Sequence, residues 1–248
     1  MRKTIGKLFL ILMLLVIYAP ILILAVYSFT DSGNIGSIHG FSMQNYVTLF
    51  TKGELRDMIV GTVLLALVSS LLATIFGTMG AIGAFYSKKL AKNFINTANQ
   101  IPVVNADVVT GFSICVLLIV AFGMNKESYV PLLIGHVVLS APFVYLSVVP
   151  KLKQMDASLY EAAMDLGASP SMALRKVVIP QIMPGIVSGF ALAITLSLDD
   201  YFIASYTKPA TFNTISTYVV NATKGSQTEI KTALWALSTV IFLIVILA

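Results

Sequence analysis

The 248-residue sequence has a composition that excludes most classes of soluble protein. Apolar residues make up 57% of the chain and charged residues 11%, with 16 Lys and Arg against 11 Asp and Glu. Soluble domains contain about 45–50% apolar and about 25% charged residues, so this chain has too few polar side chains to cover a soluble fold. The net charge of +5 rests on few cations and excludes a nucleic-acid-binding protein with a dense basic face. The composition therefore indicates a membrane protein.

Apolar stretches long enough to cross a bilayer, which takes about 20 residues, occur at six places in the chain. They lie near residues 8–29, 58–86, 98–123, 130–149, 182–206 and 232–248. The first follows a cationic start, as a signal peptide does, but it is longer than the about 7–15 apolar residues of a cleavable signal. We therefore predict a retained helix there and, over residues 1–248, a single all-α transmembrane domain with six spans. The sixth stretch ends at Ala248 without a polar tail, which is the pattern expected of a truncated end.

Lys and Arg residues are more frequent in one of the two sets of segments that flank the predicted spans. Ten cations lie on the flanks that we assign to the cytoplasm: Arg2, Lys3, Lys7, Lys88, Lys89, Lys92, Lys151, Lys153, Arg175 and Lys176. Six lie on the opposite flanks: Lys52, Arg56, Lys126, Lys208, Lys224 and Lys231. Cytoplasmic loops of membrane proteins carry the excess of Lys and Arg, so we predict that both termini are cytoplasmic.

The predicted cytoplasmic loop at 150–181 has a helix–glycine–helix pattern. The first helix carries apolar and small residues at helical spacing and acids on its polar side: Leu159, Ala162, Ala163 and Leu166, with Glu161 and Asp165. Gly167 then interrupts the pattern, and Ser169 and Pro170 predict the cap and first position of a second short helix at 171–178. Pro180 and Pro184 are expected to end that helix before the fifth span.

This loop resembles the coupling loop of ABC importer permeases. In that family the signature is E-A-A-x3-G-x9-I-x-L-P, and this chain has Glu161, Ala162, Ala163, Gly167, Ile179 and Pro180 at the matching positions. Val177 stands in place of the usual Ile, and Ile179 in place of the usual Leu. The resemblance implies a six-span permease whose loop seats in a groove on a cytoplasmic ATPase. The alternative is an amphipathic helix resting on lipid headgroups.

The sequence lacks the common motifs for nucleotide binding, nucleophilic catalysis and metal binding. There is no G-x-x-x-x-G-K-[ST] phosphate loop, no G-x-S-x-G elbow and no spaced set of metal ligands. We expect no enzymatic activity and no bound metal or cofactor, and the resemblance implies that a separate ATPase dimer binds ATP and Mg²⁺.

Three carboxylates lie within the apolar stretches: Asp107, Asp199 and Asp200. An ionised Asp at the centre of a span costs about 2.5–3.5 kcal/mol, and no Lys or Arg lies in the same stretches, so a cationic cargo is a candidate partner. Tyr201 and Phe202 follow and could make cation–π contacts. Alternatively, Asp199 and Asp200 cap a helix end or bind a second permease.

The sequence around these acids resembles the PotC-type permease family of bacterial spermidine/putrescine importers. The similar segments are residues 18–21, 107–109, 165–168 and 196–200. Asn105 and Ala106 stand where a Ser-Pro pair is expected, so Pro102 becomes the candidate for a helix break.

The second resemblance implies polyamine import across a bacterial inner membrane. It also implies three kinds of partner: a homologous second permease, the ATPase dimer and an extracytoplasmic polyamine-binding protein. Alternatives are the same machine with another cargo, such as ferric iron or an opine, and a proton-coupled secondary transporter that uses the same acids.

Overall fold

The computed structural model describes residues 2–30, 40–156, 158–224, 234–240 and 242. The named helices in these residues are α1 (Arg2–Ser28), α2 (Gln44–Thr51), α3 (Gly53–Tyr86), α4 (Lys89–Val104), α5 (Asp107–Cys115), α6 (Val130–Gln154), α7 (Ser158–Asp165), α8 (Pro170–Ala173), α9 (Ile179–Asp199), α10 (Phe202–Thr207) and α11 (Ile215–Lys224). A π-helical segment, Val116–Ala121, continues α5, and a second one, Leu174–Val178, joins α8 to α9. The described β pairing is a single bridge between Thr30 and Phe41. The all-α fold class is confirmed.

Within the described ranges, four helices are long and apolar enough to cross a membrane: Gly6–Ser28, Gly53–Tyr86, Val130–Gln154 and Pro170–Asp199. The helices Lys89–Val104 and Asp107–Ala121 also pass this test as a pair, but they meet at a bend of 107°. Of the predicted sixth span, residues 234–240 are helical and most of the rest lies outside the described residues. The count of six spans and the sidedness of the chain stay predictions.

Two predicted spans differ from continuous helices. The stretch at 98–123 is broken at Asn105 and Ala106, both in extended backbone, whereas Pro102 lies inside α4. The prediction that the helix breaks at Pro102 was therefore wrong, because the break lies three residues later. The stretch at 182–206 ends its long helix at Asp199 and resumes only at Phe202.

The second helix of the 150–181 loop does not end at Pro180 or Pro184. Residues 170–199 form one helical run of 30 residues, with Pro184 inside it. The π-helical segment Leu174–Val178 lies directly before Pro180, and such local changes in helix register satisfy backbone groups that a proline leaves unpaired. The prediction that these prolines terminate the helix was wrong: the π-helical segment accommodates Pro180, and α9 continues through Pro184 to Asp199.

The described chain divides into two compact units, residues 1–59 with 218–248, and residues 60–217. In the first unit, Asn45 of α2 holds the end of α1. Its side-chain amide donates to the carbonyl oxygens of Ser28 at 3.0 Å and Thr30 at 2.9 Å. Trp235 packs edge-on against Tyr27, with a separation of 5.4 Å between the ring centres.

The second unit is built around the close packing of α6 against α3 and α9. A Cβ atom added at Gly185 would lie 2.9 Å from the Ser147 carbonyl oxygen, and one at Gly189 would lie 3.1 Å from Val144 Cα. These two glycines are four residues apart, the spacing that lets transmembrane helices approach closely. On α3, Gly77 makes a similarly close approach to Val144, whereas Gly83 has open space around it.

Candidate functional site

The break between α9 and α10 is created by the side chain of Asp200. Its carboxylate accepts hydrogen bonds from the backbone N–H groups of Ile203, at 3.2 Å, and Ala204, at 2.7 Å. An acid before a helix satisfies N–H groups that have no partner in the first turn. The break also frees the Leu198 carbonyl oxygen, which accepts a hydrogen bond from Ser216 Oγ at 2.9 Å. Asp200 therefore performs the capping role that the sequence had left as an alternative.

Asp200 also belongs to a buried polar cluster that the sequence did not reveal. His136 of α6 is fully buried, and its Nε2 lies 3.7 Å from Asp200 Oδ2, too far for a hydrogen bond. His136 Nδ1 is 2.9 Å from Ser197 Oγ, which is itself 3.1 Å from Ser69 Oγ. The order Ser–His–Asp resembles a hydrolase triad, but Ser197 is only 1% exposed, so a substrate has no access to its hydroxyl. The cluster ties α3, α6 and α9 together.

The only sequence signal for this cluster was a histidine inside an apolar span. Polar residues at such positions commonly face the interior of a bundle. His136 follows this rule, since it is fully buried.

The second break, between α4 and α5, places Asp107 at the first position of α5. Asn105 stabilises this start, since its side-chain amide donates to Thr110 Oγ1 at 3.1 Å. α5 packs directly on α10: a Cβ atom added at Gly111 would lie 3.0 Å from Ile203 Cα. Asp107 consequently lies within electrostatic range of Asp200.

The three predicted path acids therefore differ in exposure. Asp107 and Asp199 are exposed on the surface of the chain, whereas Asp200 is buried at 8% exposure. Within the described ranges, no Lys or Arg nitrogen lies within 4.0 Å of these carboxylates. Tyr201 is half-buried and Phe202 is 42% exposed, with their rings 5.2 Å apart. Exposed acids and aromatic rings are the groups that interact favourably with organic cations.

The helix–glycine–helix segment forms as predicted around Gly167. This glycine has φ +91°, a backbone conformation that side chains with a Cβ rarely adopt. Its N–H donates to the Met164 carbonyl oxygen at 2.9 Å, and the Ala168 N–H donates to that of Ala163 at 3.1 Å. This pair of bonds is the Schellman motif that ends a helix. Ser169 then caps the next helix by accepting from the Met172 N–H at 3.4 Å.

The helix α7 itself lies on the surface and has no buried residue. Glu161, Ala162 and Asp165 are exposed, Ala163 is half-buried and Leu166 is 89% exposed. Ile179 and Pro180 lie at the start of α9, half-buried and exposed respectively.

The start of α7 is held by Asp156. Its carboxylate accepts hydrogen bonds from the Ser158 N–H at 3.0 Å and the Ser158 hydroxyl at 2.8 Å. These bonds hold the pKa of Asp156 below its usual value of 3.8, since they stabilise the ionised form.

Groups of three or more His, Cys, Asp or Glu side chains that could hold a metal ion do not occur in the part of the chain that the structure describes.

Comparison with known proteins identifies the family. Residues 76–248 match the family described as binding-protein-dependent transport system inner membrane component. The chain belongs to this family. It is therefore a multi-pass transport permease, as the helix–glycine–helix motif had indicated.

Polyamine permeases are among the proteins that this chain resembles. The chain is 28% identical to the spermidine/putrescine transport system permease protein PotC of Escherichia coli (strain K12), covering 94% of this chain and 87% of that one. It is 31% identical to the PotC of Haemophilus influenzae, over 86% and 82% of the two chains. It is 32% identical to the putrescine transport system permease protein PotI of Escherichia coli (strain K12), over 77% and 69%.

The fold is also found in a solved transporter. A chain in the crystal structure of a bacterial alginate ABC transporter, in complex with an alginate pentasaccharide-bound periplasmic protein, superposes with a TM-score of 0.75. The match covers 99% of this chain and 92% of that one at 17% sequence identity. This similarity confirms the permease fold.

Proposed function

We propose that this chain is a permease subunit of an ATP-driven, binding-protein-dependent importer of polyamines such as spermidine and putrescine. The observation that carries the proposal is the pair of exposed carboxylates, Asp107 and Asp199, each at a helix break and each without a cationic partner in the described structure. The names of the similar permeases support the same cargo.

The chemistry of a polyamine fits this arrangement. Its ammonium groups are separated by methylene segments, so it needs separated acids with apolar or aromatic surface between them. Asp107 and Asp199 supply the acids, while Tyr201 and Phe202 supply aromatic faces for cation–π contacts. In this proposal Asp199 is the member of the 199–200 pair that meets the cargo, and Asp200 fixes the break that presents it.

The remaining partners follow from the same proposal. A homologous second permease completes the path, an extracytoplasmic binding protein delivers the polyamine, and a cytoplasmic ATPase dimer binds ATP and Mg²⁺. The ATPase engages the coupling surface, which we define as Glu161, Ala162, Ala163, Asp165, Leu166 and Gly167, with Ile179 and Pro180 at its base. The exposure of this surface supports its role in docking.

The test is polyamine uptake by the permease complex, purified with its own partners and reconstituted in proteoliposomes. Each of Asp107→Asn and Asp199→Asn removes one charge that faces the cargo without changing side-chain size. Since a hydrogen bond to a charged group contributes about 1.5–3 kcal/mol, we expect each variant to lose about tenfold or more in uptake at low polyamine concentration. Asp57→Asn is the control, because this exposed acid already pairs with Arg56 at 3.5 Å.

Three results would contradict the proposal. Unchanged uptake in both Asp107→Asn and Asp199→Asn would remove the acids from the path. ATP hydrolysis that responds to ferric iron or an opine, but to no polyamine, would assign another cargo to the importer. Uptake that needs no ATPase and stops with an uncoupler would identify a proton-coupled secondary transporter.

A further inference from the structure

A small pocket opens between α3, α4 and α6, near the ends of two membrane-spanning helices. Its volume is about 50 Å³, and its walls include Ala84 of α3 and Leu152 of α6. One water molecule needs about 10–15 Å³ of such space, so the pocket has room for a group the size of a phosphate but not for a nucleoside.

The pocket is lined by two cations from different helices, Lys92 of α4 and Lys153 of α6. The ammonium group of Lys92 lies 5.9 Å from the centre of the Phe85 ring, a cation–π contact that restrains it at the pocket wall. Among the residues that the structure describes, no carboxylate lies within 4.0 Å of either ammonium group. The two positive charges are therefore available to an anion from outside the chain.

Polar groups deeper in the pocket also favour an anion. The hydroxyl of Tyr145, a residue only 4% exposed, donates a hydrogen bond to Asn96 Oδ1. This bond occupies the carbonyl oxygen of Asn96 and leaves its amide N–H groups as donors. The pocket thus offers two ammonium groups and an amide donor.

The outer face of α4 indicates that lipid lies beside this pocket. Leu90, Phe94 and Ile101 form one stripe along α4 and are 87%, 75% and 63% exposed. Lys92 and Asn96 lie on the other side of α4, where the pocket opens. A helix with its apolar stripe outward and its polar residues toward a neighbouring helix is arranged for contact with acyl chains.

We propose that this pocket binds a phosphate-type anion, with an anionic lipid headgroup as one source and free phosphate as the other. Basic pockets between transmembrane helices bind anionic headgroups in this way. The site is separate from the cargo acids and does not depend on which substrate the permease carries.

The experiment measures anion binding by the purified complex rather than transport. In the lipid arm, the complex is exchanged into nanodiscs of phosphatidylcholine with or without phosphatidylglycerol, and native mass spectrometry counts the retained phosphatidylglycerol. In the phosphate arm, equilibrium dialysis with radiolabelled inorganic phosphate uses the complex in phosphatidylcholine alone. Each arm compares the wild type with Lys92→Gln/Lys153→Gln, with the charge-conserving Lys92→Arg/Lys153→Arg, and with Lys88→Gln/Lys89→Gln as a matched control outside the pocket.

We expect one tightly held anion per chain, with affinity reduced about fivefold for each lysine removed, since a lysine near an anionic surface contributes about 1 kcal/mol. The arginine pair should restore binding, which separates loss of charge from misfolding. Binding confined to the lipid arm identifies a headgroup, and binding in the phosphate arm identifies free phosphate. Equal retention by Lys92→Gln/Lys153→Gln and wild type in both arms would overturn the proposal, as would an equal loss in Lys88→Gln/Lys89→Gln.

Discussion

Replacement of Asp200 tests whether its carboxylate holds the break between α9 and α10. Asp200→Ala removes both acceptors, so the N–H groups of Ile203 and Ala204 lose their partners in a buried position. Each unsatisfied buried group costs about 1–3 kcal/mol, and we take about 3 kcal/mol for the pair. Asp200→Asn keeps one oxygen, and we expect it to cost about 1.4 kcal/mol, as for one such group.

These free energies set the expected hydrogen exchange. Because about 1.4 kcal/mol corresponds to a factor of ten, the amides of α10 should exchange about tenfold faster in Asp200→Asn and about 100-fold faster in Asp200→Ala. The assay is hydrogen–deuterium exchange with mass spectrometry on the purified complex, reading peptides that cover 202–207.

The matched control for this experiment is Asp199→Asn. Asp199 is exposed and has no recorded hydrogen bond to α10 in the described residues, so its replacement should leave exchange at 202–207 unchanged while it lowers uptake. Equal exchange in wild type, Asp200→Asn and Asp200→Ala would refute the assignment of Asp200 as the cap.

Three further perturbations test packing, the coupling surface and the start of α7. Gly77→Ala would bring a Cβ atom to 2.7 Å from a backbone oxygen, whereas the Cβ atom of Gly83→Ala would meet nothing within 4 Å. We expect Gly77→Ala to cost about 1–3 kcal/mol of stability and to lower the unfolding temperature in detergent. Gly83→Ala should leave the unfolding temperature unchanged or raise it. Gly167→Ala should cost about 1–2 kcal/mol of stability because position 167 has a positive φ. The variant permease should still insert into the membrane but should show lower polyamine-stimulated ATP hydrolysis. Normal stimulation of ATP hydrolysis in Gly167→Ala would contradict this expectation. The bonds from Ser158 depress the pKa of Asp156, so their stabilisation of α7 is complete above pH 3.8 and is lost as pH falls through the depressed pKa. The protection factor of the Ser158 amide, which is the intrinsic exchange rate at each pH divided by the observed rate, should therefore fall on acidification, and Asp156→Asn should abolish that fall; a fall of the same size in the variant would exclude Asp156 as its source.

Hydropathy and motif spacing predicted the long helices and the helix–glycine–helix segment because both depend on local sequence. The helices α3, α6 and α9 occupy apolar stretches that were recognised as spans, and Gly167 was recognised because few other residues adopt its backbone angles. In these regions, residue type and spacing carry the structural information directly.

The sequence misplaced one helix break and left the other as an alternative because neither break contains a glycine or proline. At Asn105 and Ala106 the chain turns by 107° without either residue, and at Asp200 the break depends on a carboxylate that finds N–H groups three and four residues later. Conversely, Pro184 was read as a helix end although it lies inside α9. Proline removes one hydrogen bond, and a transmembrane helix can absorb that loss by a local change of register.

The buried cluster around His136 was missed for a different reason. Ser69, His136 and Ser197 are far apart in the sequence and come together only through the packing of three helices. No spacing rule within a single helix links them.

The continuous run from Pro170 to Asp199 has a mechanical consequence. Its 30 residues extend about 45 Å at about 1.5 Å per residue, with Gly167 just before one end and the exposed carboxylate of Asp199 at the other. A rigid rod of this length that tilts by about 5° about one end moves its far end by about 4 Å. In the proposed importer this helix would act as a lever, so that a small rotation imposed beside Gly167 would displace Asp199 by a distance comparable to the length of one ammonium–carboxylate contact.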